Sequence, residues 1–235
     1  MKLPKKISPC PIEEAIIEVR FKPSSPDDAV FGIIYSYLKE RYSKVEGLPI
    51  LDLPEKIRKQ DQNLKYKPYH KLEYQNYILQ IGPRVLSLAV KKEYPGWETF
   101  YQHIKWVLEQ VQKSDIIEKI ERNSLRYINL FENDIFENID LKITLNEKQF
   151  HTEQTFFKTQ LLEEDSRTIL QIANNASFGD KKNASVIDVD VISNNPKQDF
   201  IENNKEILDQ LHSREKEVFF PLLSDKFLSS LNPTY

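Results

Sequence analysis

Between Glu14 and Phe21 the chain alternates: Ala15, Ile17, Val19 and Phe21 share one side of an extended backbone, and Glu14, Glu18 and Arg20 are among the residues on the other. Alternation with a period of two predicts a half-buried strand. The spacing then widens, with Val30, Ile34, Tyr37, Leu38 and Tyr42 forming a stripe of helical period. Ser25 is placed to cap that helix, Pro26 suits its first position, and Asp27 and Asp28 complement its positive end. The stretch from Leu64 to Val90 reads as a meander of strands, with Pro68 predicting an edge position for the first and Gly82-Pro83 dividing the later run. Trp97, Phe100, Tyr101, Ile104, Leu108 and Val111 then predict a second long helix lying across the sheet.

From residue 116 the theme repeats more loosely. A strand is expected from Ile120 to Phe131. Ile139, Leu141, Ile143 and Leu145, alternating with Asp140, Lys142 and Thr144, give the strongest period-two signal in the chain and predict another. Further strands are expected at about Thr155–Leu162 and Thr168–Ala176. A last long helix, capped at Ser193 or Asn195 with Pro196 near its start, carries Phe200, Ile201, Ile207, Leu208, Leu211, Val218 and Phe219 and ends at Pro221.

This order lacks the regular strand-helix alternation of a parallel doubly wound fold. It predicts an α+β protein: two antiparallel β-sheet/long-helix halves, residues 1–115 and 116–235, packed as one unit, or one continuous twisted sheet backed by long helices. No low-complexity linker separates the halves near Asp115, so they are expected to pack against each other.

The run Val186-Ile-Asp-Val-Asp-Val-Ile-Ser193 puts Asp188 and Asp190 on one face of a strand and Ile187, Val189 and Val191 on the other. Arg122, Ser124 and Arg126 likewise share the polar face of the strand from Ile120. If the two strands are neighbours, Arg122, Arg126, Asp188 and Asp190 meet as charge-assisted pairs. The same four residues are the candidate binding cluster, as an anion-recognising or partner-binding pocket. An isolated Asp-x-Asp lacks the further acidic ligands and the lysine of a two-metal nuclease.

Composition narrows the remaining choices. The 235 residues include 33 Lys and Arg against 36 Asp and Glu, for a formal charge of -3. That balance gives no case for nucleic acid as the main partner, although folding can still gather a local basic patch. Cys10 is the only cysteine. It can form no intrachain disulfide, and between Pro9 and Pro11 it has no basic neighbour to activate its thiol. No segment approaches the roughly 20 apolar residues of a membrane span, and the expected location is cytoplasmic. His70, His103, His151 and His212 each lack a second His or Cys at metal-ligand spacing. His212 lies on or beside an apolar stripe and reads as a hydrogen-bonded packing residue. No nucleotide-binding glycine loop, nucleophile elbow or His-Glu-x-x-His occurs, so no catalytic residue, cofactor or metal is expected. Tyr66, Tyr69, Tyr74 and Tyr77 read as sheet packing, with an exposed aromatic surface as the alternative.

Pro11-Ile-Glu-Glu-Ala15, Gly96-Trp97, Arg126-Tyr-Ile-Asn129 and Leu211-His212, in this order, resemble the signatures of a sporadically distributed prokaryotic family of about this length. The resemblance spans nearly the whole chain. It marks Glu14, Trp97, Arg122, Arg126, Tyr127, Asn129, Asp188 and His212 as positions of interest, without roles, because the family has no assigned activity. Asn123-Ser-Leu125 stands where the family pattern has a glycine-containing spacer, which leaves the local strand geometry open. The family's patchy distribution resembles that of accessory genes, including toxin-antitoxin and phage-defence components. The missing catalytic motifs and that distribution together lead to the expectation of a non-enzymatic binding or interaction protein, an accessory component of a defence or toxin-antitoxin system, with another protein as partner. The alternative is an enzyme or ligand sensor using the Arg/Asp pocket. Oligomeric state is not legible.

Overall fold

The computed structural model describes residues 2–132, 134–149, 154–178 and 181–235; His151 and Gly179 lie outside them. The predicted α+β class is correct, and the main sheet is a single one. Its strands are β1 (Ile12–Pro23), β2 (Lys44–Gly47), β3 (His70–Tyr74), β4 (Tyr77–Gly82), β5 (Val85–Lys91), β6 (Ile117–Phe131), β9 (Phe156–Leu162), β10 (Ser166–Phe178) and β11 (Lys181–Ser193). These nine run antiparallel in the order β2-β3-β4-β5-β1-β6-β11-β10-β9. A separate two-stranded piece joins β7 (Thr144–Leu145) to β8 (Lys148–Gln149).

The two segments of the chain are joined edge to edge and are not two packed sheets. β1 and β6 are the central neighbours, paired from Ile12↔Asn129 to Pro23↔Ile117 with three register shifts. Each begins a similar path. β1 leads through α1 (Asp27–Leu38) to a meander whose last strand, β5, returns beside β1; β6 leads to β9 and β10 and then β11, which returns beside β6. α3 (Trp97–Lys113) follows the first return and α4 (Asn204–Phe219) the second. At 17 and 16 residues, these helices span about 25 Å at 1.5 Å per residue.

One face of the sheet carries the core. Ala15, Ile17, Val19 and Phe21 of β1 are at most 2% exposed. They join Leu125, Tyr127, Ile187 and Val189 and the buried stripes of α1, α3 and α4 in one apolar cluster. Strand alternation therefore turns Glu18, Arg20, Arg122, Arg126, Asp188 and Asp190 to the opposite face.

Several local expectations are corrected. Residues 139–145 are not one strand: Ile139 makes an isolated bridge to Leu223, and only Thr144 and Leu145 are extended into a ladder. Ile139 is buried and Leu141 packs on the core, so apolar alternation there reflects burial in an irregular segment. The last helix starts at Asn204, well after Ser193 and Asn195. The intervening chain is held in turns by the Gln198 amide, which accepts from Ile120 N at 2.9 Å and donates to Ile120 O at 3.1 Å. Ser25 makes no cap hydrogen bond to α1, whose N-cap is Pro26. β3, the first strand after Pro68, is one place in from the edge, which is β2. Two short helices, α2 (Glu55–Gln60) and α5 (Asp225–Ser230), have no counterpart in the sequence pattern. Tyr77 stacks on His103 at 3.7 Å and Tyr74 at 5.9 Å, whereas Tyr66 and Tyr69 lie outside the strands under Arg20 and Arg58.

Gly82 is the tightest backbone approach in the meander. A Cβ there would collide with Lys67 O and stand 2.9 Å from a Val85 methyl, so the turn into β5 requires a residue without a side chain.

The far ends of the described chain meet. Lys5 N donates to Thr234 O at 2.7 Å, Thr234 N to Lys6 O at 2.8 Å and Ser8 N to Leu231 O at 2.7 Å. This clasp holds the segment before β1 against the region after α5. No helix of the described residues is long and apolar enough to cross a membrane.

Candidate functional site

The expected Arg/Asp cluster forms. β11 pairs with β6 in the register Asp188↔Ile128 and Asp190↔Arg126. Arg126 donates from Nε and Nη2 to the two oxygens of Asp188 at 2.7 and 2.6 Å, in a bidentate fork. Gln171 of β10 donates to the same carboxylate at 2.7 Å. Arg122 Nη2 reaches Asp190 at 3.0 Å, and Glu18 stands 3.8 Å from Arg122 Nε while accepting from Arg20 Nε at 2.7 Å. Burial pushes Asp190 above the usual carboxylate range, and Arg122 only partly opposes this. Glu14, marked by the resemblance, belongs to this face: burial raises its carboxyl, while Lys91 and Arg126 pull it down. Asp188 is 5% exposed. Its fork and its amide donor satisfy it as a buried charge must be satisfied, which makes ordering of β6 against β11 the cluster's first role.

The other marked residues, Trp97, Tyr127, Asn129 and His212, converge on the core side of the sheet around a cavity of about 210 Å³. β6 places Tyr127 and Asn129 on its floor, α3 begins at Trp97, and α4 supplies His212 and Glu215. The segment Lys5–Ile12 forms a further wall, positioned by the clasp to residues 231–234. Lys5, Lys6 and Cys10 are exposed at the opening.

The polar groups of the cavity form a relay. The hydroxyls of Tyr94 and Tyr127 lie 3.0 Å apart, and the Tyr127 hydroxyl is 3.2 Å from His212 Nδ1. Trp97 stacks on the His212 ring at 4.4 Å with an interplanar angle of 10°, and its indole N–H donates to Asp209 at 2.8 Å. Asn129 donates to Ile187 O at 3.3 Å, which fixes its amide against β11. Burial raises the Tyr94 and Tyr127 phenols. Burial and then the Lys216 ammonium push the His212 imidazole down to about 4. The relay is therefore uncharged at neutral pH.

Glu215 is the group the sequence pattern missed. It is 5% exposed and lines the cavity, and no hydrogen bond to its carboxyl forms among the described residues. Burial pushes its carboxyl up to about 8, with Lys216 opposing weakly, so it is a neutral acid at pH 7. A sequence signal existed: Leu211, Glu215, Val218 and Phe219 follow helical spacing, so the acid occupies a place in the apolar stripe. Tyr94 and the Lys5–Ile12 wall carry no comparable signal, because only long-range packing brings them here.

The first half of the chain has its own buried histidine. Tyr42 OH lies 2.6 Å from His103 Nε2, and burial pushes His103 down to about 4. Tyr74, Tyr77 and Trp106 surround that ring, making it a closed packing cluster. Among the described residues, no group of three His, Cys, Asp or Glu side chains is arranged to hold a metal ion. A scan against protein-family models and a search of curated proteins each return no match for the chain.

Proposed function

We propose that the chain is a non-enzymatic binding protein and that a small ligand enters the cavity between β6, α3, α4 and the Lys5–Ile12 segment. One observation carries this reading: a desolvated carboxyl, Glu215, faces an aromatic-walled cavity with no hydrogen bond of its own among the described residues. The carboxyl opens into the cavity, so a ligand group can hydrogen-bond to it there, an interaction worth about 0.5–1.5 kcal/mol net. The relay beside it already satisfies Tyr94, Tyr127 and His212 among themselves, which suits a fixed recognition surface. On the family resemblance alone, the proposal extends to a cytoplasmic accessory role in a defence or toxin-neutralising system, with another protein as the partner that senses the ligand state.

A thermal-shift screen of compact metabolite-like compounds tests the reading, since a ligand that binds only the folded chain must raise its midpoint. Hits whose shift is lost on filling the cavity with Asn129→Trp, while that variant keeps a cooperative melt, support it. A screen whose hits are all indifferent to that substitution overturns it.

A second reading uses the polar face. Arg122 Nε and Asp190 Oδ1 are buried without hydrogen-bond partners, beside a pocket of about 320 Å³ lined by Arg20, Arg122 and Arg167. It predicts a midpoint raised by phosphate compounds and no longer raised in Arg167→Ala.

A further inference from the structure

The groups around the same cavity carry information on the charge of its ligand, an inference that rests on the binding reading above. Three ammonium groups, those of Lys5, Lys6 and Lys216, line the opening. Lys5 and Lys6 come from the segment before β1, and Lys216 from α4. Lys216 lies close enough to Glu215 and Lys5 to be perturbed by both: burial lowers its ammonium first, Glu215 raises it and Lys5 lowers it further. The other titratable groups facing Glu215 are the thiol of Cys10, the phenols of Tyr94 on the loop before α3 and Tyr127 on β6, and the His212 imidazole one turn back on α4. Burial holds both phenols above their ordinary value and the imidazole below its own, so these three groups carry no charge at neutral pH.

Burial keeps the acid inside this ring protonated. A carboxylic acid held neutral by an apolar site becomes a hydrogen-bond donor to an oxyanion. The walls are aromatic or apolar: Trp97, Phe219 and Phe220, with Ile7 and Ile12. A cavity of about 210 Å³ is below the roughly 300–1,000 Å³ of drug-sized sites.

We propose that this cavity binds a small organic monoanion, a carboxylate on a compact planar apolar body, with the carboxylate between Lys216, Lys5 and the Glu215 acid and the body against Trp97 and Phe219. A cationic ligand of the same size would gain the aromatic faces. It would also have to pass three ammonium groups and ionise a desolvated acid. The balance of charge around the opening decides against it.

Benzoate, benzamide and benzamidine have one shape and three charges, and they serve as probes. Their binding to the whole chain is measured by calorimetry from pH 6 to 9.5 at millimolar concentrations. Benzoate is expected to bind best at pH 6–7 and to weaken by up to about tenfold per pH unit once Glu215 ionises. Glu215→Gln, which keeps a neutral donor, should retain benzoate binding and lose most of that pH dependence. Lys216→Gln should weaken benzoate by about fivefold, the scale of one partly screened charge pair.

Benzamidine binding best, with affinity rising with pH, would overturn the anion assignment and leave the cavity a binding site. Benzamide matching benzoate would do the same. If none of the three binds, the ligand class is wrong, and the compound screen with Asn129→Trp still decides the binding reading separately.

Discussion

Glu215→Gln is expected to make the protein more stable at alkaline pH while changing little at pH 5. The carboxyl moves from an ordinary 4.5 to about 8 in the folded chain. A folded-state pKa raised in this way means that the native state binds the extra proton between those values. The stability associated with that proton is fully present below about pH 4.5 and lost progressively as pH rises to about 8. At 1.36 kcal/mol per pKa unit, the full loss is about 5 kcal/mol, an upper bound because water and Lys216 can reach an ionised carboxylate. The glutamine amide of the variant cannot ionise, so the variant escapes the loss.

The same pH range contains an opposing pair of groups. His103 and His212 are held at about 4 against an ordinary 6.5. Their contribution is present above about pH 6.5 and lost as pH falls towards 4. Subtracting wild type from variant removes these terms and isolates Glu215. Urea or thermal melts at half-unit steps from pH 5 to 9 supply the difference curve. The expected curve starts near zero and rises, with a midpoint advantage for the variant of roughly 10 °C or more at pH 9, at about 2–4 °C per kcal/mol for a chain of this size. A difference that stays flat across the range would show that Glu215 is ionised in the folded chain and would refute the reasoning.

Removing Arg126 leaves Asp188 buried without its fork. Arg126→Ala should therefore cost about 2–3 kcal/mol, less than a fully buried pair because the arginine is partly exposed, and a double-mutant cycle with Asp188→Ala should show coupling above about 1 kcal/mol; additive losses would count against the pair. Asn123 is fully buried and both ends of its amide lack hydrogen bonds, so Asn123→Leu should raise stability by about 1–2 kcal/mol in chemical denaturation, and a loss would point to a partner for that amide. Gly82→Ala, whose Cβ would meet Lys67 O, should lower the melting midpoint by an amount equivalent to about 2 kcal/mol, and an unchanged midpoint would show that the turn can shift.

What the sequence made legible depends on the range of the physics involved. Alternation in β1, β6 and β11 is a local property, and it put Glu18, Arg122, Arg126, Asp188 and Asp190 on one face before any partner strand was known. That the two arginines then meet those aspartates required only that β6 and β11 be neighbours. The same logic misled at Ile139 to Leu145, where Ile139 is buried and Leu141 packs on the core within an irregular segment. Pro196 and Ser193 resembled a helix start, but the side chain of Gln198 holds that stretch in turns against Ile120. Glu215 sits within the run of charges from Arg214 to Glu217 and drew no reading, because burial of an acid in a helical stripe depends on what packs over it. The cavity as a whole was illegible for the same reason: Tyr94, His212 and the Lys5–Ile12 wall are far apart in sequence and meet only in the assembled fold.

The clasp between Lys5–Ser8 and Leu231–Thr234 also orders events in time. Its side-chain bond from Thr234 to Lys6 spans 228 residues of sequence, and closing so large a loop is entropically unfavourable until the sheet between has formed. The wall it positions is therefore the last part of the site to set during folding and, with exposed backbone bonds at its ends, the first to open afterwards. Amide hydrogen exchange at Lys5, Ser8 and Thr234 is expected to run ahead of that at Ile17 and Leu125. Occupancy of the cavity would then be recorded as slowed exchange at Lys5, Ser8 and Thr234, far along the chain from the β6 residues that line the cavity floor.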